Sequence, residues 1–283
     1  MISLYARRRA VNLVASTLMF VATAIGLFFL AWILWTTLKL GLHAMHWDLF
    51  VKDTPAPGTD GYGLRNAFVG SLILMVIALA IGVPVGLMAG TWLAEYGGRS
   101  RRANVVRFVN DIMLSAPSIE IGLFTYAILV APMGHFSGLS GGVALAILMI
   151  PIIVRTTDEM LRLVAGEMRE AAIALGAPMW QVVTQVTWKA ARAGILTGIL
   201  IALARISGET APLLFTAFGN NFMTVHPLDE MASLPIAIYQ YTNDPSPALH
   251  SIAWAGALLI TIFVLTLSLI TRFLFSRKKV TYE

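Results

Sequence analysis

Several stretches of this chain are longer and more apolar than the core helices of a water-soluble protein need to be. A run of roughly 18 apolar residues spans a ~30 Å hydrocarbon layer, where every backbone N–H and C=O must find its partner inside the protein. The hydrophobic pattern predicts six spans, over residues 11–40, 67–94, 108–133, 142–154, 193–218 and 252–275. The fourth is short and is expected to continue as helix past Arg155 toward Leu163. Gly82-Val83-Pro84, Pro117 and Pro151 fall inside spans, where neighbouring helices can satisfy the freed backbone groups. Charged residues make up 12% of the chain and the mean hydropathy is +0.77, against about 25% charged in soluble domains. The 283 residues would otherwise suit one or two soluble domains. The reading is therefore an all-α polytopic membrane protein.

Lys and Arg set the orientation. Arg7, Arg8 and Arg9 precede the first span; Arg99, Arg101, Arg102 and Arg107 join spans two and three. Arg155, Arg162, Arg169, Lys189 and Arg192 border or lie between spans four and five, and Arg272, Arg277, Lys278 and Lys279 close the chain. The alternate loops hold only Lys52 and Arg65, together with all five histidines. The positive-inside rule then puts both termini and the loop between spans four and five in the cytosol. The net charge of +5 is spread over these loops and forms no single patch, which argues against nucleic acid. The opening Arg7 to Arg9 with Ala22-Thr23-Ala24 imitates a signal peptide, but the apolar run continues through Trp35, so an uncleaved first span is expected.

The longest basic loop carries Glu170-Ala171-Ala172-Ile173-Ala174-Leu175-Gly176. Apolar residues at Ala171, Ala172, Leu175, Met179, Val182 and Val183 recur near helical spacing, and Gly176-Ala177-Pro178 interrupts them. Two short helices with a turn between, lying along the membrane surface, are expected. On composition alone an ordinary interfacial helix is the favoured reading.

In span five, Arg205 lies twelve residues after Ala193, roughly 18 Å into the membrane at 1.5 Å per residue. Charge at that depth costs about 2.5 kcal/mol or more, so it should face protein or water. Glu209 follows at i+4 on the same helical face, and Pro212 loosens the helix beyond it. The pair reads either as a structural ion pair or as a station for an anion, since a guanidinium fork matches a tetrahedral oxyanion.

Other charges say less. Asp111 is expected to reach water, Glu120 to satisfy hydroxyls on a neighbouring helix, and Asp158 and Glu159 to be solvated. His43 and His46 lack a third ligand nearby, so no metal site is expected. The chain has no cysteine, which removes disulfides and thiolate metal sites. It has no Gly-x-x-x-x-Gly-Lys-Ser/Thr loop, no His-Glu-x-x-His and no Gly-x-Ser-x-Gly, so neither ATP hydrolysis nor hydrolase chemistry is expected from it. The stretch 219–250, with Pro227, Asp229, Glu230, Pro235, Pro245 and Pro247 and no Lys or Arg, is expected to be a semi-rigid outer loop.

The Glu-Ala-Ala-x-x-x-Gly segment resembles the docking loop of bacterial ABC importer permeases. The run Ala204-Arg205-Ile206-Ser207-Gly208-Glu209-Thr210-Ala211-Pro212-Leu213-Leu214-Phe215-Thr216 is more specific. With Ser233-Leu234-Pro235-Ile236-Ala237-Ile238-Tyr239-Gln240-Tyr241, it resembles the A-type permease family of phosphate-specific ABC importers over most of the chain from about Leu64. One departure is Val186-Thr187-Trp188-Lys189, where the broad pattern closes with Ile-x-Leu-Pro. The resemblance implies a type I importer permease fold: a first helix and outer loop over 1–65, a permease domain over 66–276 and a cytosolic tail over 277–283. It implies Glu170, Ala171, Ala172 and Gly176 as the surface coupled to an ATPase dimer, with Arg205, Ser207, Glu209 and Thr210 along the substrate path. ATP and Mg would be used by the ATPase, with no cofactor in this chain. The other implied partners are a second homologous permease, a periplasmic phosphate-binding protein and the lipid of a bacterial inner membrane. Sulfate or molybdate import by the same machinery, or an ATP-independent anion transporter or channel, are the alternatives.

Overall fold

A computed structural model describes residues 4–54, 63–98 and 100–276, with side chains described to Phe273. Arg99, part of the first outer loop and the tail 277–283 with Arg277, Lys278 and Lys279 lie outside the described residues. The regular structure of the described residues is all helix, in ten principal elements. They are α1 (Leu4–Ala44), α2 (Arg65–Gly97), α3 (Arg101–Ser115), α4 (Ser118–Met133), α5 (Gly138–Arg162), α6 (Gly166–Ala174), α7 (Met179–Ile206), α8 (Ala211–Leu214), α9 (Leu234–Thr242) and α10 (Pro247–Ser276). Five helices (α1, α2, α5, α7 and α10) are long and apolar enough to cross a membrane, and a sixth span exists if α3 and α4 are counted together.

The centre of the bundle is α5, buried over two-thirds of its most apolar window although its sequence reads as the shortest span. A small-residue stripe on α2 makes this possible. A Cβ at Gly82, Gly86 or Gly90 would stand 3.0, 2.7 or 2.6 Å from Met149, Ile153 or Thr157 respectively. Four-residue spacing on both helices keeps these contacts in register, and lipid-embedded helices gain most from such close backbone approach. Pro84 and Pro151 sit inside α2 and α5 without ending them.

Pro117 behaves differently, which corrects the third span. The chain bends by 104° between α3 and α4. Proline disfavours helical geometry at the residue before it, and Ala116 is extended (ψ 135°). The end of α3 is already satisfied there, because both Ala116 N–H and Ser115 Oγ donate to the Ile112 carbonyl. Glu120 therefore belongs to a separate helix, exposed and making no side-chain hydrogen bond among the described residues, rather than bonding hydroxyls of a neighbour.

The fifth span is also corrected: α7 starts at Met179, fourteen residues before the expected start, and stops at Ile206. Its first turns are π-helical (Val182–Thr187), so the missing proline is replaced by an unbroken, wider helix. Only α6 is a separate surface helix. Within the expected outer loop 219–250, residues 225–230 are exposed but residues 231–237 fold inward. Ser233 caps α9, Pro235 occupies its first turn, the Leu234 N–H donates to Ser71 Oγ (2.8 Å), and Ser233, Leu234, Pro235, Ile236 and Ala237 are buried. The long helix α1 stands at the edge, touching the bundle through α10, where Gly41 fits against Leu258.

Candidate functional site

The end of α7 lies inside the bundle. Ile206 shares a crevice with Leu74 and Leu145. These stand roughly 10–14 Å along their helices from the non-basic ends at Arg65 and Gly138. Ser207-Gly208 turns the chain out of helix, and Pro212 sits in the first turn of α8. Glu209 is thus on a turn beyond the helix end, correcting its placement on the same helical face. Its Oε1 is 4.0 Å from Arg205 Nε, a loose pair with side chains 18% and 47% exposed.

Neither side chain makes a hydrogen bond among the described residues, and Arg205 projects away from the buried row of Ala202 and Ile206. As a cation in the last turn of α7 it complements the negative helix end. Its uncovered guanidinium at that depth requires water or another polar surface beside it. Ser207 turns from this face: its hydroxyl donates to the Ala204 carbonyl, and it lines an apolar crevice of about 80 Å³ with Phe68, Ser71 and Leu259. The Thr210 carbonyl accepts the Leu213 and Leu214 N–H groups at the start of α8.

The helix N-terminus of α5 cannot hold an anion, because loop carbonyls occupy it. Thr216, Asp229 and Pro227 accept from the N–H groups of Ser137, Gly138 and Leu139. Nearby, Phe218 adopts φ 62° and stacks on Phe136 at 4.7 Å.

At the basic end, α6 protrudes. Glu170, Ala171 and Gly176 are exposed, Ala172 is half-buried, and Ile173 (53%) and Leu175 (89%) present apolar surface. Gly176 has φ 83°, a conformation that glycine adopts without a Cβ penalty. Charges missed by sequence reasoning hold this end. Asp158, expected to be solvated, is buried between Arg107 (3.0 Å) and Arg162 (2.7 Å). Arg107 also donates to the Leu93 carbonyl (2.8 Å). Arg155 pairs with Glu159 (3.0 Å) and reaches Asp111 (3.6 Å), which is exposed.

The buried partner of Arg169 is Glu95, one acid at the end of an apolar span followed by a basic loop. That isolation was its only signal. The hydrogen bond from Arg169 to Glu95 holds the guanidinium pKa above its ordinary value. His43 and His46 are exposed, and no cluster of three or more metal-ligating side chains occurs among the described residues.

A charged side chain uncovered at the end of a long apolar helix, in a polytopic bundle that holds a short helix out at its basic end, suits one part of a transport pore, a permease subunit. Solved structures share the fold. A chain of the inward facing MetNI methionine ABC transporter aligns with TM-score 0.60 at 19% identity, over 75% of this chain and 94% of that one. A chain of the bacterial alginate ABC transporter, in complex with alginate pentasaccharide-bound periplasmic protein, aligns with TM-score 0.66 at 14% identity over 98% of both. The family described as binding-protein-dependent transport system inner membrane component matches residues 82–280. The chain belongs to this family of type I ABC importer permeases.

Among its relatives, the phosphate transport system permease protein PstA of Xylella fastidiosa is 56% identical over 98% of this chain and 96% of its own length. The protein of the same name from Haemophilus influenzae is 52% identical over 96% of each. PstA 1 of Mycobacterium tuberculosis is 35% identical over 96% of this chain and 92% of its own length.

Proposed function

We propose that this chain is the pore-forming permease subunit of an ATP-driven importer that carries inorganic phosphate into the cytoplasm across the bacterial inner membrane. The observation that carries the reading is Arg205, half exposed on its own chain at membrane depth and only loosely held by Glu209. A guanidinium fork binds a tetrahedral oxyanion through paired N–H groups. The nearby carboxylate weakens that hold, and conduction requires an anion to leave as well as enter. A protonated phosphate can donate a hydrogen bond to Glu209, which sulfate cannot do. Phosphate rather than another oxyanion is also supported by the names of relatives at 50–56% identity over nearly the whole chain.

The positive-inside rule places the basic end, both termini and α6 in the cytosol. There Glu170, Ala171, Ala172 and Gly176 would meet an ATPase dimer, which binds ATP and Mg; this chain carries no phosphate-binding loop. A second related permease would cover Arg205, and a periplasmic phosphate-binding protein would deliver the ion to the opposite end. Residues 1–65 serve as anchor and first outer loop, 66–276 as the pore domain and 277–283 as a cytosolic tail.

The test is to purify the tagged chain with its native partners and reconstitute it in liposomes. Phosphate-stimulated ATP hydrolysis and phosphate uptake are expected, both lost in Arg205→Ala and neither inhibited by sulfate or molybdate. Uptake unchanged in Arg205→Ala would refute the pathway role; inhibition by sulfate or molybdate would reassign the ion. A complex without an ATPase would refute the importer.

A further inference from the structure

α6 is not free to swing on its loop. Arg169 forks onto both carboxylate oxygens of Glu95 (Nε to Oε2, 3.0 Å; Nη2 to Oε1, 2.8 Å). Its other N–H groups reach the carbonyls of Leu161 and Val164, each at 2.7 Å. The Leu161 carbonyl lies in the last turn of α5, where it also accepts the Val164 N–H (3.2 Å), and Val164 follows two residues after that helix. One guanidinium therefore ties together α6, the end of α2 and the end of α5. Glu95 is 2% and Arg169 20% exposed, so solvent does little to screen the pair.

The neighbouring backbone is unusual too. Glu95 belongs to the π-helical turn Trp92–Gly97 that ends α2, and a second π-helical turn, Val182–Thr187, lies within the first turns of α7. Directly beyond these turns, Trp188 Nε1 donates to Thr91 Oγ1 at 3.0 Å, joining the two helices. π-turns inside α-helices are rare and concentrate at functional sites.

We propose that Glu95 and Arg169 form the joint through which displacement of α6 reaches α2 and α5, with the two π-turns as the compliant segments on either side. They are positioning residues: their polar atoms are engaged with each other and with the Leu161 and Val164 carbonyls inside the chain. The proposal rests on the reading of α6 as the ATPase-coupled surface. A rigid, buried, bidentate pair transmits a displacement, whereas a loop held by solvent-exposed contacts would absorb it.

The experiment uses the whole complex with its co-purified partners, carrying Glu95→Gln or Arg169→Lys. Each substitution keeps the side-chain size near the original while removing the paired charge or the fork. Three quantities are read: ATPase recovered with the tagged chain, ATP hydrolysed, and phosphate taken up per ATP. Wild-type ATPase recovery is expected, with uptake per ATP lowered about 2- to 30-fold, the range for substitutions that modulate coupling between sites. Arg169→Lys should retain more coupling than Arg169→Ala.

Unchanged uptake per ATP in both conservative variants would overturn the joint, as would a fall of hydrolysis and uptake in equal proportion, the mark of a merely structural role. If Glu95→Gln fails to assemble, Arg169→Lys decides alone. A wild-type complex whose ATP hydrolysis ignores phosphate would refute the importer reading itself, which separates that failure from this one.

Discussion

Arg205 and Glu209 hold each other at 4.0 Å across a turn, close enough to interact and too far to hydrogen-bond. If the carboxylate serves to loosen the grip on an anion, Glu209→Gln should lower the apparent KM for phosphate and the maximal uptake rate together. A few-fold change is expected, in line with about 0–1 kcal/mol for a partly exposed ion pair. A raised KM would reverse the role assigned to it. That Arg205 interrupts an apolar run was legible in the hydropathy. Its end-of-helix setting was not, since Ser207 and Gly208 stop the helix before Pro212 is reached. The buried state of Asp158 was equally hidden. Its partner Arg107 lies 51 residues away on α3, and only tertiary contact brings the two together.

At the scale of elements, the fit of α2 against α5 rests on absent side chains. Gly86→Val should cost about 1–3 kcal/mol of overpacking against Ile153, read as a lower melting temperature of the detergent-solubilised protein. Gly26→Ala is the control, because a Cβ there meets nothing within 4 Å, and no loss is expected, only the gain of about 0.5–1 kcal/mol that alanine brings to a helix interior. Gly176→Val should strain the turn after α6 by roughly 1–2 kcal/mol and reduce the ATPase recovered with the chain. Wild-type recovery would show that this turn does not set the docking geometry. Prolines show how far an element can be read from its own residues. Pro84, Pro117 and Pro151 all fall in apolar runs, yet only Pro117 divides its helix, where Ser115 and Ala116 have already completed the α3 end.

For the whole molecule, the asymmetry of Lys and Arg makes the orientation testable without background, because the chain contains no cysteine. Leu175→Cys and Asn243→Cys place single thiols on exposed positions at the two ends. In intact cells a membrane-impermeant maleimide should label Asn243→Cys and spare Leu175→Cys until the membrane is opened. The reverse pattern would invert the proposed topology and place the coupling surface outside.

What the chain determined by itself was what adds up locally: which segments are apolar enough to cross a membrane, where the positive loops lie, and that a surface helix lies near Glu170. Hydropathy and charge are sums over neighbours in sequence, so these survive without knowledge of the fold. The tertiary structure alone decided where apolar helices stop, as at Ala116 and Ile206, and which glycines face which side chains. It also decided that the acid of one span end, Glu95, meets an arginine 74 residues later. In a membrane almost any apolar segment favours helix, and the choice to end one depends on which distant groups complete its hydrogen bonds.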